Sequence, residues 1–187
     1  MRLTQILLWS GVVVSAAISA QIRDIDGQFL SFFKPSGKIN ILFFISSDCP
    51  ISNSYAPEIQ RLCQAYGNKG VSCSLLYEDT DITVSSVRRH LDEYRYRGIP
   101  AAIDGEGKVA KQAAASVTPE AVLVDGKGEI RYRGRIDNFY AALGKPRQHV
   151  TVHDLSDALD AVLSGKPVVN VETKALGCFI PDHNLRK

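Results

Sequence analysis

Ile41-Leu-Phe-Phe-Ile-Ser-Ser-Asp-Cys-Pro-Ile-Ser-Asn-Ser-Tyr-Ala-Pro57 is the stretch that decides the fold. An apolar run ends abruptly, a lone cysteine follows, then a proline, and after it a helical pattern begins. Lys38 to Ile45 reads as a strand of near-continuous apolar character, as expected at the centre of a sheet covered on both faces. From Pro50, the apolar residues Ile51, Tyr55, Ile59, Leu62, Cys63 and Tyr66 recur at helical spacing, and Gly67 and Gly70 end the helix. Pro57 falls inside that pattern and should kink it. Cys49 is thereby placed at a strand-to-helix turn with Pro50 at the first helical position. There the unpaired N–H groups and partial positive charge of the helix favour a thiolate, the form that attacks disulfides and peroxides. The plainer reading is a small buried hydrophobe; the Cys-Pro step at a helix start favours the reactive one.

The same alternation continues outward. Val71 to Tyr77 reads as a second strand. Thr83 caps a helix with Val84, Val87, Leu91 and Tyr94 inward, and Gly98 breaks it. Ile99 to Ile103 is a short strand and Val109 to Ala115 a short helix. Ala121 to Val124 and Glu129 to Gly134 flank Asp125-Gly-Lys-Gly128, a hairpin turn signal rather than a phosphate loop. Residues 137–150 read as a loop. Thr151 opens a last helix with Leu155, Leu159, Val162 and Leu163 inward and Gly165 as its stop. Strand–helix–strand–helix, then a hairpin and a helix, predicts an α/β fold: a central mixed β-sheet with helices on both faces.

Residues 1–20 read as an export signal: Arg2, then the mostly apolar Ile6 to Val14, then the small residues of Ser15 to Ala20. The segment is short for a membrane span, and no later stretch is apolar enough to cross a bilayer. The expected organisation is a signal peptide over 1–20, one domain over 21–165 and a tail over 166–187 carrying Cys178. The expected location is periplasmic or secreted, with no membrane attachment after cleavage. With 22 basic and 20 acidic residues in 187 the net charge is +2, and no basic block argues for nucleic acid. No internal repeat or low-complexity tract is visible.

Four cysteines in an exported chain can form disulfides, with three complete pairings. Cys178 lies in an apolar patch, Ala175-Leu-Gly-Cys-Phe-Ile-Pro181, which can dock Leu176, Phe179 and Ile180 on the body, with Gly177 allowing close approach. Cys63 lies on the inner stripe of its helix. Cys73 lies on the strand set with Val71, Leu75 and Tyr77. The two can meet as a structural disulfide or stay as two buried thiols. The histidines at 90, 149, 153 and 183 form no ligand-spaced pair on a helix face and read as surface residues. No cofactor or metal is expected.

This order and these motifs resemble the thioredoxin-like fold, in particular exported redoxins of the thiol-specific antioxidant type. Phe43 to Cys49 is similar to the family strand that delivers the nucleophilic cysteine, Pro57 to its helix-kinking proline, and Val117-Thr-Pro-Glu-Ala-Val-Leu-Val-Asp125 to the loop and strand whose proline is cis and packs on that cysteine. Ser52 stands where the family has its second cysteine, and Phe43 where it often buries an acid. Leu42 and Ser46 stand where peroxidase relatives have proline and threonine. The resemblance implies a thiol–disulfide oxidoreductase with Cys49 as nucleophile, Pro119 shaping the groove and keeping metals from the thiolate, and Pro50, Ser46, Ser52 and Thr118 at the substrate. Cys178 is the candidate to resolve the mixed disulfide. The partners are a protein disulfide or a peroxide and a thiol electron donor. Two alternatives remain: a peroxiredoxin-like thiol peroxidase, with Ser46 and Arg133 or Arg135 polarising a peroxide, and a copper-binding module using Cys49, Cys178 and a histidine.

Overall fold

Residues 21–181 are described by the computed structural model; the segment read as an export signal and His183 lie outside them. A small hairpin leads in, with strands β1 (Gln21–Arg23) and β2 (Phe29–Ser31) joined by a turn in which the Asp24 carboxylate accepts from the Asp26 and Gln28 N–H groups. Strand β3 (Ile39–Ile45) follows, then two short-separated helices, α1 (Pro50–Ser54) and α2 (Ala56–Gly67). Strand β4 (Val71–Tyr77), helix α3 (Val84–Glu93), strand β5 (Ala101–Ile103) and helix α4 (Lys108–Ala113) complete the parallel half. Strands β6 (Val117–Thr118), β7 (Glu120–Val124) and β8 (Ile130–Gly134) come next. A small hairpin of β9 (Tyr140–Ala142) and β10 (Lys145–Pro146), helix α5 (Asp154–Leu163) and strand β11 (Cys178–Phe179) end the described chain.

The main sheet has the order β5-β4-β3-β7-β8. β3 pairs parallel with β4 and antiparallel with β7, so the sheet is mixed and the apolar run from Ile39 sits at its centre. Alternate residues of β3 enter two cores. Ile41, Phe43 and Ile45 pack with Ile59 and Leu62 of α2, Val87 of α3 and Leu155 and Leu159 of α5. Leu42 and Phe44 pack on the other face with Phe32 and with Val109, Ala110 and Ala113 of α4. Every one of these β3 side chains is fully buried. Both faces covered is the reason the strand is apolar throughout rather than alternating. This is the α/β arrangement expected from the sequence, with a thioredoxin-like layout.

Four local expectations change. Where the sequence predicts one kinked helix from Pro50 to Gly67, Tyr55 divides it, and Pro57 falls in the first turn of α2, where a missing N–H leaves no bond unmade. The stretch 137–150 holds the β9–β10 hairpin. Helix α5 begins at Asp154 with His153 as its cap, whereas the Thr151 hydroxyl accepts from Asn138 Nδ2. His90 is not a surface residue: it lies three positions after Val87 on the inner face of α3, buried beside Tyr77, Tyr94 and Tyr96.

The tail after α5 folds back along the body. Arg133 N–H donates to Val171 O and Thr173 N–H to Arg133 O, both at 3.0 Å, extending the sheet past β8. The Thr173 hydroxyl lies 2.6 Å from the Tyr132 hydroxyl and accepts from Arg135 N–H. Five residues on, β11 pairs antiparallel with β6, Cys178 opposite Thr118 and Phe179 opposite Val117. Side chains alternate along such a strand. Cys178 and Ile180 therefore face the body, and Ile180 joins the second core. Phe179 points away and is 86% exposed, a correction to the expectation that it docks.

Candidate functional site

A short loop, residues 46–49, joins β3 to α1, and Cys49 is the helix N-cap in extended backbone geometry. The side chain is 0% exposed. Its sulfur accepts from Ser52 N–H at 3.5 Å, and Pro50 occupies the first turn. The Thr118 carbonyl oxygen lies 3.1 Å from the same sulfur. These contacts act in opposite senses. The N–H and the helix dipole favour a thiolate, whereas the carbonyl can accept only from a protonated thiol. The Thr118–Pro119 peptide bond is cis, and Pro119 is buried against this region.

Cys49 is joined to Cys178 by a disulfide, with a Cα–Cα distance of 6.1 Å, inside the range such bonds require. The exposed member is Cys178. Gly177 makes the approach possible: a Cβ there would overlap the Thr118 carbonyl oxygen. Cys63 and Cys73 form a second disulfide, Cα–Cα 5.9 Å, fastening α2 to β4. The two alternatives left open for this pair resolve in favour of the bond.

The loop between β3 and α1 is held by residues that the sequence did not mark. Asp79, two positions beyond β4, accepts from the Ser46 hydroxyl at 2.7 Å and from Ser47 N–H at 3.1 Å. Asn53 Nδ2 donates to Ser47 O at 2.8 Å, which fixes the amide orientation, so its Oδ1 accepts from His90 Nε2 at 2.9 Å. His90 Nδ1 is then the acceptor for the Tyr77 hydroxyl at 2.8 Å. Burial lowers the His90 pKa, consistent with a neutral ring in this tautomer. Parallel pairing of Ile45 with Tyr77 brings the two strand ends together. No spacing within either segment announces that meeting.

Ser46 and Ser52 therefore lie at the site, Ser46 with its hydroxyl committed to Asp79 and Ser52 buried behind the cap. Arg133 pairs with Glu172 and Arg135 with Asp154, each at 2.6 Å. On the Pro119 side, the Tyr55 hydroxyl donates to buried Asp137 at 2.9 Å, and burial raises the pKa of that carboxyl. Among the described residues, no group of three histidine, cysteine or carboxylate side chains could hold a metal ion.

The AhpC/TSA family model matches residues 13–133. Among solved structures, a hypothetical protein from Sinorhizobium meliloti 1021 is 27% identical with a TM-score of 0.74, over 88% of this chain and 91% of that one. An uncharacterized conserved protein from Geobacillus kaustophilus is 26% identical with a TM-score of 0.75, over 88% of each chain. A secreted Mycobacterium tuberculosis disulfide oxidoreductase, homologous to E. coli DsbE, is 17% identical with a TM-score of 0.55, over 76% of this chain and 96% of that one; this likeness shows the fold alone. Comparison with curated proteins gives no match. The cysteine at the head of a helix, the cis-proline loop beside it and the family match agree: this disulfide-forming chain, of the oxidoreductase type, belongs to the AhpC/TSA family and has a thioredoxin-like fold.

Proposed function

We propose that the protein is an exported thiol–disulfide oxidoreductase whose working couple is Cys49 and Cys178. One observation carries the reading: a buried cysteine at a helix N-cap is bonded to an exposed cysteine on the returning tail. In the reduced protein the Cys49 thiolate attacks one sulfur of a substrate disulfide. A Cys49–substrate bond forms, and the other substrate sulfur leaves as a thiolate and takes a proton from water. Cys178, deprotonated to solvent, then attacks the Cys49 sulfur and expels the second substrate sulfur. The substrate gains two electrons and two protons, and the Cys49–Cys178 bond stores the oxidation. Thr118 and Pro119 line the groove in which the exchange happens, and Pro50 sets the start of α1.

A dithiol donor resets the couple. Its thiolate attacks at Cys178, the exposed residue of the pair, and Cys49 leaves as a thiolate beside Ser52 N–H. The better-stabilised thiolate is the better leaving group. The donor's second thiol then displaces Cys178 and closes the donor disulfide. Export fits the reading of residues 1–20, the two disulfides and the secreted mycobacterial oxidoreductase of similar fold. Peroxide reduction is the weaker reading, because the Ser46 hydroxyl, Arg133 and Arg135 are all engaged by carboxylates. Copper carriage is weaker still, since both His90 ring nitrogens are already bonded.

The test is reaction of the reduced full chain with oxidised glutathione, followed by intact-mass spectrometry. The proposal expects closure of Cys49–Cys178 and no lasting adduct, whereas Cys178→Ser stops at a Cys49–glutathione adduct. A Cys178→Ser chain that carries no adduct on Cys49 would remove Cys49 as the attacking thiol, and one that discharges the adduct as fast as the parent would remove Cys178 from the couple.

A further inference from the structure

A cavity of about 620 Å³ opens beside Cys178. Thr118, which carries the carbonyl against Cys49, also lines it, and so does Glu78. Glu78 is 1% exposed, and neither of its carboxyl oxygens has a hydrogen-bond partner. The Thr118 hydroxyl is equally buried and equally unpartnered. Buried polar atoms without partners are costly and rare in native proteins. Both point to a ligand that brings donors.

Charge specifies the ligand further. The cavity carries the carboxylates of Asp48, Asp79, Asp81 and Glu93 against the single guanidinium of Arg89. His90, also on its wall, is held toward the neutral form by burial, and both its ring nitrogens are bonded. Asp48 and Glu93 are exposed, so the negative field reaches the mouth. Among the described residues no three of these groups converge as a metal site does. A bare cation is therefore a poor fit, and a larger, donor-rich organic cation is a good one.

We propose that this cavity is a subsite for an arginine or lysine side chain of the polypeptide that exchanges disulfides at Cys49, its cationic head hydrogen-bonding to Glu78 and Thr118. The proposal rests on the redox reading above and deepens it by naming the substrate class. Its position beside Cys178 places the cationic residue within a few positions of the substrate cysteine.

A linked proton follows. Burial, with the nearby Asp104 and Asp79, pushes the Glu78 pKa up to about 9, so Glu78 is a neutral acid at pH 7 until a cation arrives. Asp48, Asp81, Arg89, His90, Glu93 and Tyr94 are the other charged or titratable groups on that wall, and Glu120 on β7 is occupied with the Ser116 and Val117 N–H groups. An entering guanidinium or ammonium favours the carboxylate, so the cation enters and the Glu78 proton leaves.

Calorimetric titration of the full chain, disulfides closed, tests this with blocked cysteine-free peptides Ser-Arg-Gly, Ser-Ala-Gly and Ser-Glu-Gly at pH 7, in two buffers of different ionisation enthalpy. The expected result is binding of the arginine peptide about tenfold tighter than the alanine one, weaker binding of the glutamate one, loss with added salt, and release of a proton. Glu78→Gln, which keeps the shape of the neutral acid, should abolish the proton release, and Asp48→Asn should weaken the arginine peptide. Equal binding of the three peptides, or proton release that survives Glu78→Gln, overturns the proposal. The peptides contain no sulfur, so this titration reads the subsite even if the glutathione experiment fails.

Discussion

Gly177→Ala should loosen the Cys49–Cys178 bond without touching either cysteine. The added methyl would overlap the Thr118 carbonyl oxygen and come too close to the carbonyl carbon behind it, both of them backbone atoms that cannot swing aside. The Gly177 backbone is not left-handed, so alanine itself adds no torsional strain and the contact alone sets the cost. To relieve it, the tail must lift from β6, where it makes the Cys178–Thr118 and Phe179–Val117 pairings. Forcing a methyl into a closed contact costs about 1–3 kcal/mol. That cost falls on the closed form only, since the reduced tail is free to move away. With about 30 mV per 1.4 kcal/mol for a two-electron couple, the reduction potential of Cys49–Cys178 should rise by roughly 20–60 mV, toward easier reduction. The assay is equilibration in graded glutathione buffers with alkylation and mass spectrometry. A potential unchanged within about 5 mV, well under the 20 mV floor of that range, would refute the argument that the tail closes only by gliding past Thr118.

Three further outcomes are expected. The raised Glu78 pKa makes stability depend on pH: the unfolded chain ionises near the ordinary value of 4.5 while the folded chain holds its proton to about 9, so this group's contribution is full below 4.5 and is lost as pH climbs toward 9. Glu78→Gln should therefore gain stability over the parent between pH 5 and 8.5 in urea denaturation, and a constant difference would contradict the buried acid. Replacing Cys63 and Cys73 with alanine opens a loop of sequence separation 10 and should cost about 2–3 kcal/mol in the same assay, while exchange at Cys49 is unaffected; a fall in exchange rate would tie this disulfide to the site. Asp154→Asn strips the partner from Arg135, whose side chain is 34% exposed and so recovers some hydration; a loss of about 1–3 kcal/mol is expected, and no loss would mean that water replaces the carboxylate fully.

The centre of the fold was legible because its physics is local. Ile41 to Ile45 is apolar without interruption since both faces of β3 are covered, and the Cys49-Pro50 step marks a helix start by rules that act within one turn. Thr118-Pro119 was legible only through family likeness. The residues that hold the site were not. Asp79 meets Ser46 and Ser47 across strand ends, and His90 reaches Asn53 and Tyr77 through a buried relay. Such pairs are long-range and leave no periodic trace. His90 did have one signal, its spacing of three from Val87, which a reading that counts only apolar residues passes over. The tail's return is legible in the missing partner for Cys49 and in the apolar patch around Cys178, but hydrophobicity alone places Phe179 inward, whereas alternation along β11 turns it out. Glu78 carries no sequence signal of its burial, and only the strand that precedes it puts it inside.

The central claim is that Cys49–Cys178 is a working redox couple and Cys63–Cys73 a fastening. Peptide mapping of both disulfides across a graded series of reduced and oxidised glutathione tests it most directly. The account predicts that Cys49–Cys178 opens first, reversibly and with the chain still folded, because Cys178 is an exposed residue and the Cys49 sulfur leaves at a helix N-cap. Opening of both pairs together, or a Cys49–Cys178 bond that yields only on unfolding, would contradict it.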